Sequence, residues 1–251
     1  MTTDDELIWG IHAVLGLLRE HPRRIRDITL QKGKAGAKLQ EIIDLAREHQ
    51  LRIRFEQQLR VPAGAGKVNH QGVMARMQRV DTVSLDDLLA DLEAAATPPI
   101  LLALDSIQDP HNLGAIIRSA AAAGVSAILL PKDRSAPLSG TVAKVAVGAM
   151  AHVAICSITN MVSSLKQLQE HGFWIFGAAG EASHPLYEAD FTGKVCLVVG
   201  GEGKGMRPLV RSQCDHLVSI PMQHGVESLN ASVATGVILF EMVRQRTVAA
   251  P

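Results

Sequence analysis

The chain has 251 residues, 47% of them hydrophobic and 20% charged, enough apolar material for one large domain or two modest ones. Aromatic residues make up only 3%, which argues against broad base-stacking platforms. No apolar run approaches the roughly 18 residues of a membrane span, and the acidic start MTTDDELIWG is not a secretion signal. The net charge of zero hides a split. Residues 1–80 hold 14 Lys and Arg against nine Asp and Glu, a balance of +5, and residues 81–251 hold 11 against 16, a balance of −5. That asymmetry points the N-terminal part toward an acidic partner such as nucleic acid, with ordinary surface charge as the alternative.

In chain order, the periodicity predicts a small α/β domain first. GIHAVLGLLREH reads as an amphipathic helix, RIRDITL as a strand, AGAKLQEIIDLAREHQ as a helix with Leu39, Ile42, Ile43 and Ala46 on one face, and LRIRF as a strand. VPAGAGKVNHQG, residues 61–72, reads as a flexible loop. Residues 81–97 form an acidic helical segment running into Pro-Pro, expected as a linker between domains 1–80 and 98–251.

Beyond it, apolar runs alternate with helical patterns. ILLALD is a buried strand, followed by a helix over NLGAIIRSAAAAG with Asn112 as its N-cap and Gly124 past its end. Then come AILLP (strand), GTVAKVAVGAM (helix), HVAIC (strand), NMVSSLKQLQEHG (helix), and WIFGAA and VCLVVG (strands). A short helix with Pro208 in its first turn, the strand HLVSIP and the long helix LNASVATGVILFEMVRQR close the chain. Alternation of this kind gives an α/β domain with a mostly parallel sheet covered on both faces. Ligands of such sheets sit outside the carboxyl ends of the strands.

Three polar clusters fall at that edge: Asn112 with Arg118 in DPHNLGAIIRSA, Glu202 in GGEGKGM, and Ser228 with Asn230 in SIPMQHGVESLNASVATG. Singly each has a bland reading, as a helix cap or a solvated side chain; together they mark one site. The glycine stretch is not a phosphate cradle. A P-loop would need Gly where Val198 stands and a hydroxyl where Gly205 stands, and G-x-G-x-x-G fails at Met206. Glycines at this density still indicate backbone held close to a ligand. Cys156, Cys196 and Cys214 fit no zinc spacing and read as reduced core thiols of a cytoplasmic protein.

The run N-x5-R, then G-G-E-G-x-G-M, then S-I-P-M…S-L-N-x-S-V-A-T-G resembles the three motifs of the SpoU (TrmH-like) class of RNA 2′-O-ribose methyltransferases, in the SPOUT superfamily, over residues 98–246. WGIHAV and NHQGV resemble the substrate-binding domain of members that act on ribosomal RNA. The resemblance implies a C-terminal trefoil knot, a small N-terminal α/β RNA-binding domain, a homodimer with Val233, Val237, Phe240 and Val243 as its weak sequence support, and S-adenosyl-L-methionine as cofactor without a metal. It implies main-chain contacts to the cofactor from Gly200, Ile220 and Leu229, with Gly201, Gly203 and Met222 beside them, and catalytic roles for Asn112, Arg118, Glu202, Ser228 and Asn230. The substrate it implies is a guanosine ribose of large-subunit (23S) ribosomal RNA, in the peptidyl-transferase region. A tRNA ribose methyltransferase and a non-catalytic RNA-binding or assembly protein are the alternatives.

Overall fold

Short apolar runs at the start of the chain build a mixed four-stranded sheet. The structure is a computed structural model that describes residues 7–20, 22, 25–59, 69–77, 82–138, 140–146, 149–226 and 228–249. The chain divides into two units, Met1–Val80 and Asp81–Pro251. The first unit runs β1 (Leu7–Trp9), α1 (Ile11–Glu20), β2 (Ile25–Gln31), α2 (Ala37–Glu48), β3 (Arg52–Glu56) and β4 (Val73–Met77), with sheet order β1-β4-β2-β3. Only β2 and β3 are parallel. Val14 and Leu18 of α1, Leu39, Ile42 and Ala46 of α2, and Ile28, Val73 and Ala75 of the sheet form its core, and Ile43 is partly buried against them. β1 and β4 escape a reading of the sequence, because they hold three and five residues and lack a full period of alternation. Of the loop expected over 61–72, residues 61–68 lie outside the described residues. Its end is pinned to the helix before it: Gln71 sits at φ 51° and its Oε1 accepts from Ile11 N at 2.9 Å, closing the start of α1.

The segment expected as a linker contributes instead to the second unit. β5 (Thr82–Val83) and α3 (Leu85–Glu93) are followed by β6 (Ile100–Asp105), α4 (Pro110–Ala122), β7 (Ala127–Pro131), α5 (Gly140–Ala146), β8 (Ala154–Ile158), α6 (Met161–Glu170), β9 (Trp174–Ala178), β10 (His184–Pro185), β11 (Val195–Gly200), α7 (Pro208–Arg211), β12 (His216–Ser219) and α8 (Ala231–Ala249). β5 pairs with β8, and Leu88 and Leu89 of α3 are buried in the main core. The acidic residues that gave the segment its linker character occupy the other face of a capped helix, with Ser84 accepting from Asp87 N at 3.1 Å.

The eight strands are ordered β10-β12-β9-β11-β6-β7-β8-β5, and every pairing is parallel. From β6 the chain steps through β7 and β8 on one side, then crosses so that β9 and β12 lie beyond β11 on the other. β6 and β11 therefore flank the topological switch point, where such sheets open a crevice at their carboxyl ends. One face carries Leu101, Ala103, Leu129, Cys156, Ile175 and Val198 into a core with α3 and α6. On the other, α4 packs against α5 and α8. Gly114 permits the first of these contacts, since a Cβ there would lie 2.6 Å from Val145 Cβ.

Candidate functional site

Local rules place the first motif. Asp109, not Asn112, caps α4: its carboxylate accepts from His111 N at 2.8 Å and Pro110 takes the first helical position. Asn112 is thereby moved into the first turn, buried, with its side chain free for other work. Its Nδ2 donates to Glu202 Oε1, and its Oδ1 accepts from Asn230 Nδ2 at 3.0 Å. Asn230 Oδ1 in turn accepts from Ser232 N at 2.9 Å and Ser232 Oγ at 2.6 Å. All the donors point one way, from Ser232 through Asn230 and Asn112 to the carboxylate of Glu202. Each bond polarises the next, so the network holds the Glu202 side chain in a fixed pose. Partners 90 and 118 residues apart in the chain meet here because α4, the loop after β11 and the start of α8 all open at the switch point.

The glycine stretch is the second wall. Gly205 N donates to Gly201 O at 3.0 Å, so residues 201–205 fold back as a tight loop. A Cβ at Gly200 would lie 2.1 Å from Gly205 C, and one at Gly201 would lie 2.3 Å from Ser106 O. Both obstacles are backbone, so these glycines are required by close approach. Gly203 and Gly205 take positive φ, 76° and 62°.

This loop borders a cleft of about 850 Å³. Gly200, Gly201, Gly203, Ile220, Met222 and Leu229 all line it, as do Glu202, Ser228 and Asn230. The volume is within the range of small-molecule sites, and the lining combines backbone at the glycines with apolar Ile220, Met222 and Leu229. An S-adenosylmethionine-sized group fits a cradle of this volume and lining. Ser228 is exposed on the cleft wall, outside the hydrogen-bonded chain.

Arg118 is not brought to this cluster. It is exposed, makes no hydrogen bond or ion pair within the described residues, and does not line the cleft. Six residues at about 100° each rotate it some 120° away from Asn112 on α4, so the N-x5-R spacing cannot put both side chains on one face.

Sequence reasoning missed Ser232, Asp105 and Arg207. Asp105 is fully buried at the end of β6 and accepts from Arg207 N at 2.8 Å and Arg207 Nε at 2.7 Å. The signal was present as an acidic residue closing an otherwise apolar strand, ILLALD. The thiols are not reactive centres: burial pushes Cys156 up to about 11 and Cys214 up to about 12, and raises Cys196 further. Among the described residues, no group of three or more His, Cys, Asp or Glu side chains is placed to hold a metal ion, and no helix is long and apolar enough to cross a membrane.

Comparison with known proteins gives a consistent likeness. The model of the SpoU rRNA methylase family matches residues 99–240, and one described as RNA 2′-O ribose methyltransferase substrate binding matches residues 7–83. The 23S rRNA (guanosine-2′-O-)-methyltransferase RlmB of Pseudomonas putida is 45% identical over 246 residues, covering 97% of this chain and 98% of its own. RlmB of Escherichia coli K12 is 46% identical over 242 residues, 96% and 99% of the two chains. Among solved structures, the SpoU methyltransferase AviRb of Streptomyces viridochromogenes, in complex with AdoMet, shares the fold with a TM-score of 0.66 at 22% identity over 98% of this chain and 92% of that one. A TrmH/SpoU tRNA modifying enzyme of A. aeolicus aligns at 30% identity and a TM-score of 0.55, over 65% of this chain and 85% of its own.

Proposed function

Because the chain belongs to the SpoU rRNA methylase family, we propose that it methylates the ribose 2′-oxygen of a guanosine in 23S ribosomal RNA, in the peptidyl-transferase region, using S-adenosylmethionine. The observation that carries this reading is the meeting of Asn112, Glu202 and Asn230, one from each motif, beside a cleft walled by glycine backbone. Bound S-adenosylmethionine supplies an electrophilic methyl group and its own leaving group.

The chain's work is then alignment and proton handling. Main-chain groups at Gly200, Gly201, Gly203, Ile220, Met222 and Leu229 hold the cofactor. Glu202, fixed by Asn112, orients the ribose hydroxyl together with Ser228 and Asn230. Arg118 grips an RNA phosphate, since a guanidinium stays protonated and is a poor base.

Residues 1–80 select the RNA; their +5 balance and the match to a substrate-binding model support this. We assign residues 98–251 to cofactor binding and catalysis, with β5 and α3 as part of the same unit. The homodimer belongs to the proposal. α8 leaves Val233 and Phe240 about half exposed, at 51% and 52%, while Ile238, Leu239 and Met242 fill its own core, so the stripe is available to a second copy. Arg118, exposed on α4, which packs against α8, is then in reach of a site completed across that interface. The trefoil knot is proposed for the segment after β11, supported by the return of α8 from β12 to pack on α4 and β11. The free thiols support a cytoplasmic location.

Mapping ribose methylation in RNA from cells with and without the protein tests the reading. Loss of one 2′-O-methylguanosine in 23S RNA is expected. Unchanged 23S RNA with a lost tRNA mark would move the substrate to tRNA, and no lost mark at all would leave an RNA-binding role. A monomer mass in light scattering at micromolar concentration would reject the dimer.

A further inference from the structure

Four glycines among residues 200–205 leave the loop that carries Glu202 with little stiffness of its own. Its entry is fixed by β11, which lies between β9 and β6. Its exit leads only into α7, four residues long, whose N-cap residue Arg207 makes no side-chain capping bond. What fixes the exit is a side chain from another strand. Asp105, fully buried, accepts from Arg207 N at 2.8 Å through Oδ2, and from Arg207 Nε at 2.7 Å through Oδ1, with Arg207 Nη2 also 2.7 Å from Oδ1.

The same residue meets the other end of the loop. In the β6–β11 ladder Asp105 is the register partner of Gly200. Residue 200 is therefore held through the backbone of Asp105 and residue 207 through its carboxylate. Ser106, at φ 71°, brings its carbonyl against Gly201 in the next step. The carboxyl end of β6 is thus a template on which both ends of the loop are registered: the Arg207 fork, Nε and Nη2, closes on Oδ1 while its backbone N–H takes Oδ2, so both oxygens of the buried carboxylate are used and direction is fixed as well as distance.

The geometry points to Asp105 and Arg207 as a positioning pair for methyl transfer: they hold the loop so that its backbone lines the cleft while Glu202 meets Asn112. Neither side chain need touch substrate. The inference rests on the reading of the cleft as the cofactor site.

The test uses Asp105→Asn, which keeps shape but turns one acceptor oxygen into a donor facing Arg207, and Arg207→Lys, which keeps the charge and the backbone bond but loses the fork. The second changes a partly exposed side chain and leaves the core filled. Three quantities are measured in the full chain: amide exchange of residues 201–206, S-adenosylmethionine affinity by calorimetry, and single-turnover methyl transfer to 23S RNA. For Asp105→Asn, loop exchange is expected to quicken about tenfold or more while β6 and β11 stay protected. Affinity is expected to fall about tenfold and turnover on the order of 100-fold, since a shift of about 1 Å is enough for that loss. Arg207→Lys is expected to fall between this variant and the wild type in all three. Wild-type loop exchange in both folded variants overturns the pair as a positioning device, whatever the cleft binds; so does faster exchange with unchanged affinity and turnover. If the wild-type chain binds no S-adenosylmethionine, the reading of the cleft fails instead, and the exchange data still decide what holds the loop.

Discussion

Asn112→Asp changes one atom of the hydrogen-bonded chain and reverses its logic. The new carboxylate still offers an oxygen to Asn230 Nδ2, which lies 3.0 Å from Asn112 Oδ1 in the wild type, but it faces Glu202 with a second acceptor where a donor stood. Two carboxylates in direct contact repel, and the repulsion is only partly screened because Glu202 is exposed while residue 112 is buried. That repulsion raises the second ionisation of the pair above the ordinary carboxylate range, toward neutrality. Below the raised value the shared proton restores a donor between the two residues; above it the bond is lost and the charges push apart. Single-turnover methyl transfer of the variant, divided by the wild-type rate at each pH, is therefore expected to be down about 100-fold at about pH 8.5 and to recover at least tenfold by about pH 6. Stability moves with the same sign. A carboxyl whose ionisation is raised in the folded state contributes stability that is complete at acidic pH, below its unfolded value, and is lost as the pH rises through the raised folded value. The melting temperature relative to wild type should fall over that window. A ratio that stays flat from about pH 6 to about pH 8.5 would refute the argument, and so would full activity at the alkaline end.

Gly201→Ala should abolish S-adenosylmethionine binding in calorimetry while the protein remains folded, because its Cβ would sit 2.3 Å from a backbone oxygen and the loop must move by about 1 Å to reach ordinary contact. Arg118→Lys keeps the charge but loses the planar fork; with RNA and cofactor saturating, turnover should drop severely and cofactor affinity should stay within about twofold, whereas a wild-type rate would remove Arg118 from the site. Arg246→Ala deletes bonds to the carbonyls of Pro98, Phe191 and Gly193; a loss of about 2–3 kcal/mol is expected, seen as a melting temperature lower by roughly 4–12 °C.

Much of this molecule is legible in its amino-acid order. The strands of the parallel sheet are unbroken apolar runs such as ILLALD and VCLVV, and burial on both faces leaves that mark plainly. The motif residues Asn112, Glu202 and Asn230 are likewise visible. Their mutual contacts are not, since nothing local relates positions 90 and 118 apart. Asn112 passes for a helix cap because a polar residue before an apolar periodic run looks like one, while the true cap, Asp109, hides behind Pro110. Residues 82–93 pass for a linker because a two-residue strand has no periodicity and an acidic helix face resembles a solvated tether. Arg118 is legible as a motif position, but its place about 120° round α4 from Asn112 is set by helical geometry that the motif spacing does not display.

The one-way chain of donors ending on Glu202 also sets an order of events during synthesis. Glu202 and Asn112 are available to each other once β11 and its loop have been made, but Asn230 and Ser232 follow only with the start of α8. α8 is itself fastened late, by Arg246 reaching back to Pro98, 148 residues earlier. Contacts of such long range form only after the intervening chain has been ordered. A partly made chain can therefore own the glycine loop and the carboxylate while lacking the groups that aim them. The C-terminal helix thus brings the groups that aim the carboxylate, and the site is complete only once that helix has packed.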